Sequence, residues 1–252
     1  MTERELPAAE AVIAEEGFAL ARAISLIERN APGAQEILER ARSLSSPRPP
    51  ARRVLVTGPA GAGKSSTLRE LARGVRARGA RVAILACDPA SERSRGALLG
   101  DRVRFPELNE DEAVFVRSIA AREPNRLVNP AVWSIADLLD ACRYEWIFVE
   151  TVGAGQNARD ESPPGVIRLL VLAPGQGDEV QFLKAGLLEW ADIIVVNKAD
   201  VPGADTWARL VRETLEVTGE DAPAVLLASA ATGEGIDAVI EALESLLPSS
   251  SK

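Results

Sequence analysis

The segment from Val56 to Ser66, VTGPAGAGKSS, limits what this chain can fold into more than any other. Gly58, Pro59, Ala60, Gly61, Ala62, Gly63, Lys64 and Ser65 fit the phosphate-loop pattern GxxxxGK(S/T), with Ser66 next in line. Glycines let the backbone bend around an anion without Cβ clashes, so that several N–H groups converge on one phosphate. The positive end of a following helix adds to that attraction. In such a loop the lysine, here Lys64, reaches the β and γ phosphates of a nucleotide, and the hydroxyl, here Ser65, ligates Mg²⁺. The alternative is a chance glycine-rich turn. The mechanism needs a strand before the loop and a helix after it, and Val54-Leu-Val56 and an amphipathic stretch stand in those places.

Short apolar runs recur along the chain: Val54–Val56, Val82–Ala86, Trp146–Val149, Val166–Val171, Ile193–Val196 and Ala224–Ala228. Their continuous apolarity suits strands buried on both faces of a parallel sheet. Helices between them are expected to begin near Gly63, Pro130, Asp178, Asp205 and Ile236. The pattern is α/β, a doubly wound, mostly parallel sheet of the P-loop NTPase kind. Ahead of it, Leu6 to Ser45 predicts two helices. Val12, Ile13, Leu20, Ile24 and Ile27 recur near helical spacing, Asn30-Ala-Pro-Gly33 breaks them, and Ile37, Leu38 and Leu44 continue on the second. The proline-rich stretch Ser45–Arg53 then ends helix and starts an extended segment. Residues 1–50 are therefore expected as a helical N-terminal extension and residues 51–252 as the P-loop domain. Pro89 to Asn129 shows much charge and little periodicity, and reads as functional loops, with or without short helices.

Asn197-Lys-Ala-Asp200 follows an apolar run, at the carboxyl end of a strand, where open α/β sheets meet their ligands. A carboxylate can accept from guanine N1–H and N2–H₂ together. Adenine has no matching donor pair, so Asp200 would select guanine. Asn197 is suited to the phosphate loop and to guanine's other edge, and the Lys198 stem can lie over the ring. A backbone N–H in Ser229-Ala230-Ala231, after the last run, could reach O6. Taken alone, NKAD also reads as a polar turn. Asp88 and Glu150 end two further runs and would point at the phosphates and Mg²⁺. Gly153 can approach the γ-phosphate through its N–H, which gives a switch that senses the third phosphate. Asp101 is a further candidate acid, or a cap or surface charge. Gln156 lies near where a water-positioning glutamine could sit. Arg102 and Arg104 are candidate internal donors, or solvated surface arginines.

Composition removes other chemistries. The chain has no histidine, and Cys87 and Cys142 are far apart, so neither a histidine base nor a soft-metal motif is present. A net charge of -8 repels phosphate backbones and argues against nucleic acid as a partner. No apolar run is long enough to span a membrane, and MTERELPAAEAV lacks a signal core, so a cytoplasmic protein is expected.

Several segments together resemble the SIMIBI-class GTPases, type G3E, and more closely the G-protein chaperones of adenosylcobalamin-dependent methylmalonyl-CoA mutase, the MeaB/ArgK/MMAA group. They are RAISLIE (22–28), GPAGAGKSS (58–66), ILACDPAS (84–91), GALLGDRVRFPEL (96–108), FVETVGAGQN (148–157), LAPGQGDEVQFLKAGLLEWADIIVVNKAD (172–200) and Ser229-Ala230. The resemblance implies GTP and GDP as ligands with Mg²⁺, slow GTP hydrolysis, and a cycle that gates adenosylcobalamin delivery to an acyl-CoA mutase and protects it. Asp88, Asp101 and Glu150 match family acids around Mg²⁺ and the phosphates. Asp178 and Lys184 match a mobile segment that couples nucleotide state to the mutase, although the residues themselves read as an ordinary helix start. Family members usually carry a C-terminal arm that builds a homodimer. This chain stops at Lys252 without that arm, so dimerisation by that route is open. Ser118–Trp133 and ETVGAGQNARDESPPG depart from the family pattern in segments expected to meet the partner, which points to an altered interface or a different acyl-CoA mutase.

Three rival readings remain at this stage. A nickel-insertion GTPase would need histidine and cysteine ligands. A nucleotide-dependent binding module would have lost useful hydrolysis. A P-loop kinase acting on a metabolite would prefer ATP.

Overall fold

The computed structural model describes residues 6–89, 105–108, 110–121, 126–151, 161–175, 187–216 and 222–246. Its centre is a seven-stranded parallel sheet in the order β3-β2-β4-β1-β5-β6-β7. The strands are β1 (Arg52–Thr57), β2 (Val82–Pro89), β3 (Val114–Ala121), β4 (Trp146–Glu150), β5 (Val166–Leu172), β6 (Ile193–Val196) and β7 (Ala224–Leu227). The helices are α1 (Ala9–Ile13), α2 (Ala19–Glu28), α3 (Ala34–Leu44), α4 (Lys64–Ala77), α5 (Ala131–Ala141), α6 (Leu187–Trp190), α7 (Ala204–Glu216) and α8 (Ile236–Ser245). The expected α/β fold is thus observed.

The apolar runs became strands for the reason their composition gives. Alternate residues of β1 face opposite cores: Leu55 packs with α5 and the N-terminal helices, while Val54 and Val56 pack with α4 and α8. A strand covered on both faces needs apolar residues at every position. Helix α5 is similarly apolar around much of its girth, with Val132, Ile135, Ala136, Leu138, Leu139 and Ala141 all buried. It lies between the sheet and the N-terminal helices, which bury Leu20, Ala23, Ile24 and Ile27 of α2 and Ile37, Leu38 and Ala41 of α3 in the same cluster.

Two expectations about local structure are corrected. The N-terminal segment holds three helices rather than two, because the chain turns between α1 and α2, where Glu15 and Gly17 have φ of 55° and 53°. A glycine just past a short helix is the usual stop signal. Within Pro89–Asn129, Val114–Ala121 is a strand and not a loop. As the edge strand it is less buried along its length than the central strands, so it tolerates Arg117 and Ser118 in mid-run and loses the continuous apolar signature.

Candidate nucleotide site

Because every strand is parallel, the carboxyl ends of β1, β2, β4, β6 and β7 share one edge of the sheet. The segments singled out from the sequence lie there. The loop after β1 carries Gly58–Gly63 into α4, whose first residue is Lys64. Gly63 has φ of 88°, and a Cβ there would come within 2.2 Å of Asn197 Nδ2. At Gly58, φ is 148° and a Cβ would meet the Val171 carbonyl oxygen at 2.1 Å. Both positions need glycine for space as well as for backbone geometry. Pro59, Ala60, Gly61 and Ala62 complete the loop, and the Ala62 side chain is buried.

Lys64 is largely buried and its Nζ donates to the carbonyl oxygens of Gly58 and Pro59 at 3.0 and 3.1 Å. This folds the ammonium back onto the carbonyls of its own loop. Ser65, in the first turn of α4, donates its hydroxyl to Glu150 Oε1 at 2.5 Å. Glu150 ends β4 and is 2% exposed. Its register neighbours are Val56 on β1 and Ala86 on β2, two residues before Asp88. Beneath the loop, Thr151 donates its hydroxyl to Thr57 at 3.1 Å and its N–H to Val56 O at 3.0 Å, so the ends of β4 and β1 are pinned together. The sequence reading passed over this threonine pair. Its signal was a hydroxyl residue beside each of two motif segments, VTG and ETVG. Among the described residues, no three or more Asp, Glu or Cys side chains converge as a metal cluster.

The segments expected to read the base form one unit. Asn197, 2% exposed, donates from Nδ2 to Ala62 O at 2.9 Å and accepts at Oδ1 from Ala230 N at 3.0 Å. One amide therefore ties the phosphate loop to the loop after β7. Lys198 takes a left-handed φ of 62°, which turns the chain sharply at this point. Ser229 is fully buried. Its hydroxyl donates to Asp200 Oδ1 and accepts from the N–H groups of Ala231 and Thr232 at 3.3 and 3.2 Å. Asp200 is exposed, held at one oxygen by that serine. A carboxylate fixed in orientation and open to solvent is suited to accept two parallel donors from a flat ring. Asp88 lies on β2, paired in register with Ala120. Asp101, Gly153, Gln156, Asp178 and Lys184 lie outside the described residues, as do Arg102 and Arg104.

A family model for the methylmalonyl-CoA mutase-associated GTPase MeaB matches residues 20–249. A Pyrococcus abyssi protein carrying a provisional GTPase name is 44% identical over 187 residues, which is 74% of this chain and 57% of that protein. The chain therefore spans less than three-fifths of that relative's length. It is also 35% identical over 162 residues to the fused isobutyryl-CoA mutase of Cupriavidus metallidurans, covering 63% of this chain and 15% of that protein. Among solved structures, one titled as a LAO/AO transport system kinase superposes with a TM-score of 0.70 at 24% identity, covering 97% of this chain and 75% of its own. That likeness speaks to the fold.

Proposed function

The chain belongs to the methylmalonyl-CoA mutase-associated GTPase family MeaB, and from that premise we propose that it is a slow GTPase whose nucleotide state gates an adenosylcobalamin-dependent acyl-CoA mutase. The observation that carries the reading is a phosphate loop tied through Asn197 to a loop whose Ser229 orients the Asp200 carboxylate. Phosphate recognition and guanine recognition then belong to one rigid constellation. Loop amides and Lys64 would take the phosphates, and Asp200 would take guanine N1–H and N2–H₂. A backbone N–H of the Ser229–Ala231 segment would serve O6.

The donors near the phosphates also fit Mg²⁺. The Ser65 hydroxyl and the Glu150 carboxylate are hard oxygen groups within hydrogen-bond distance of each other. Mg²⁺ is usually held by one or two such protein groups with phosphate oxygens and water completing the shell. Bound there, it would neutralise charge on the β and γ phosphates. Ser65 would offer a lone pair while its hydroxyl proton stays directed at Glu150, and Asp88 would supply a further carboxylate at the end of β2. Gln156 and Gly153 would act at the γ-phosphate, and Asp101, Asp178 and Lys184 in the response to it.

A mutase is the partner that the family and the fused relative support; a cytoplasmic setting and no nucleic-acid partner belong to the same proposal, the latter argued from the net charge of -8. Gating requires differential affinity of the partner for the two nucleotide states, with ~1–3 kcal/mol as a typical coupling. The test is GTP turnover by the purified protein, alone and with each acyl-CoA mutase of the same genome, with ATP as control. Stimulation by one mutase is expected. Guanine-nucleotide binding with no stimulation by any mutase would leave a nucleotide-dependent binding module in its place, and preference for ATP would overturn the guanine assignment.

A further inference from the structure

The open edge of β3 is met by two side chains from different elements, and both act on one residue. Ala120 donates its N–H to Glu28 Oε1 at 3.5 Å, and its carbonyl accepts from Asn129 Nδ2 at 2.9 Å. Glu28 is the last residue of α2, and Asn129 stands just before α5. Edge strands leave alternate N–H and C=O groups unpaired, and a side chain that meets one of them fixes the strand end as a ladder bond would. Ala120 is the register partner of Asp88 on β2. The β4 register reaches β2 only as far as Ala86, so at Asp88 the ladder neighbour is β3, whose end α2 and Asn129 grip.

The hold is reinforced around Glu28. Arg117 on the same strand places Nη2 3.9 Å from the second Glu28 oxygen and donates to Ser25 Oγ of α2 at 3.3 Å. The two charged side chains are 12% and 17% exposed, so water screens the pair little. Asn129, 5% exposed, also accepts at Oδ1 from Ala131 N, so its amide cannot turn without giving up a bond at each end. These contacts lie on the nucleotide edge of the sheet yet touch no residue of the phosphate or base loops.

We propose that Glu28 is a positioning residue for the nucleotide site: through Ala120 it fixes the backbone at the end of β2, the point from which Asp88 would serve the magnesium and phosphate groups. The N-terminal helices thereby become part of the nucleotide-reading machinery. This rests on the guanine-nucleotide reading above. It predicts a specific signature, because a misplaced Asp88 should weaken what magnesium adds to nucleotide binding and leave the metal-free part intact.

The experiment compares the full-length protein with Glu28→Ala, Glu28→Gln and, as a control in the same helical extension, Glu10→Ala. Nucleotide affinity is measured with and without Mg²⁺, beside thermal melting and hydrogen exchange at the Ala120 amide. Glu28→Ala is expected to reduce the magnesium-dependent gain in GTP affinity about fivefold, the scale of one ordinary hydrogen bond. Glu28→Gln, which keeps an acceptor oxygen, should recover most of it, and Glu10→Ala should change nothing. An unchanged magnesium-dependent gain in Glu28→Ala, whatever its melting temperature, overturns the proposal. If the wild-type protein bound no guanine nucleotide, the functional reading would fall instead. Exchange at Ala120 would then decide the tie separately, with faster exchange in Glu28→Ala upholding it and unchanged exchange removing it.

Discussion

The two ends of the sheet are both rich in polar groups, yet they bond in opposite ways. At the carboxyl end, Lys64 bonds to the carbonyls of its own loop, Ser65 to Glu150 and Ser229 to Asp200. These are contacts that an arriving phosphate, cation or base can replace or share. At the amino end, charged side chains join elements distant in sequence. Glu15, in the turn between α1 and α2, accepts from Arg81 before β2 and from the Tyr144 hydroxyl before β4. Arg81 lies 4.1 Å from the centroid of the Tyr144 ring, and Arg48 and Arg53 reach Asp140 and Asp137 of α5. One end is built for exchange and the other for permanence.

The sharpest test of permanence is Cys142, which sits in the amino-end network beside Glu15 and Arg81. Burial pushes its thiol up to about 12, the Glu15 charge pushes the same way, and Arg81 opposes both. A thiol that ordinarily ionises near ~8.5 should then carry about 10³-fold less thiolate at mild pH. Alkylation at pH 8.5, followed by mass spectrometry, should be slower in the native protein than in urea by at least that factor. Rapid native labelling would mean that this end opens, and the contrast between the two ends would fail.

The sharpest test of exchange is Asp200→Asn. The substitution removes a carboxylate that would accept two guanine donors, and charge-assisted hydrogen bonds contribute ~1.5–3 kcal/mol each. Affinity for GDP, measured by calorimetry, should fall roughly 10²-fold or more, while affinity for xanthosine diphosphate rises. Melting of the nucleotide-free protein should barely move, since Asp200 is exposed. An equal loss of stability would place this residue among the permanent contacts.

Glu15→Ala is the counterpart. It strips a partner from Arg81 and Tyr144, with Glu15 and Arg81 side chains 25% and 30% exposed. Between a surface pair and a buried one, the cost should be about 1–3 kcal/mol. For a chain of this size, that lowers the melting temperature by several degrees, at ~2–4 °C per kcal/mol. Nucleotide affinity should stay unchanged. A large loss of affinity with little loss of stability would reverse the roles of the two ends.

The carboxyl end was far more legible in the sequence than the amino end, and the reason is physical. A phosphate loop and a carboxylate proposed to read guanine need particular residues at fixed local spacing, so Gly58–Ser65 and Asn197–Asp200 stand out as candidates in one pass. Continuous apolar runs likewise reveal strands that are covered on both faces. The Glu15–Arg81–Tyr144 group has no local spacing at all, because its members are 66 and 129 residues apart in the chain. The edge strand β3 was missed for a related reason: Arg117 breaks its apolar run, and its partners Ser25 and Glu28 come from α2, which sequence reading treats as a separate extension. The Asn197 bridge is intermediate. The residue stood out, but that both ends of its amide are spent on joining two loops became evident from the fold.

The smallest expected effect concerns a more exposed contact of the amino end, just before β3. Asp111, between the short 3-10 turn at Pro106–Leu108 and β3, accepts from Arg76 Nε at 2.8 Å and Nη2 at 3.2 Å. The Arg76 hydrogen bonds hold its carboxyl below the usual range, the Ala113 N–H adds to this, and burial opposes it weakly. A carboxyl lowered in the folded state contributes stability above its unfolded value near ~3.9, and that stability is lost as pH falls through the folded value. The side chain is 38% exposed, so screening keeps the contribution to about 0.5 kcal/mol. Asp111→Asn should therefore be slightly less stable than wild type in urea titrations at pH 7. The difference should shrink below pH ~4 and vanish once the carboxyl is protonated in both states. A gap of several kcal/mol at pH 7 would show that this exposed pair is held as firmly as the Glu15 group, and that exposure does not grade the contacts of the amino end.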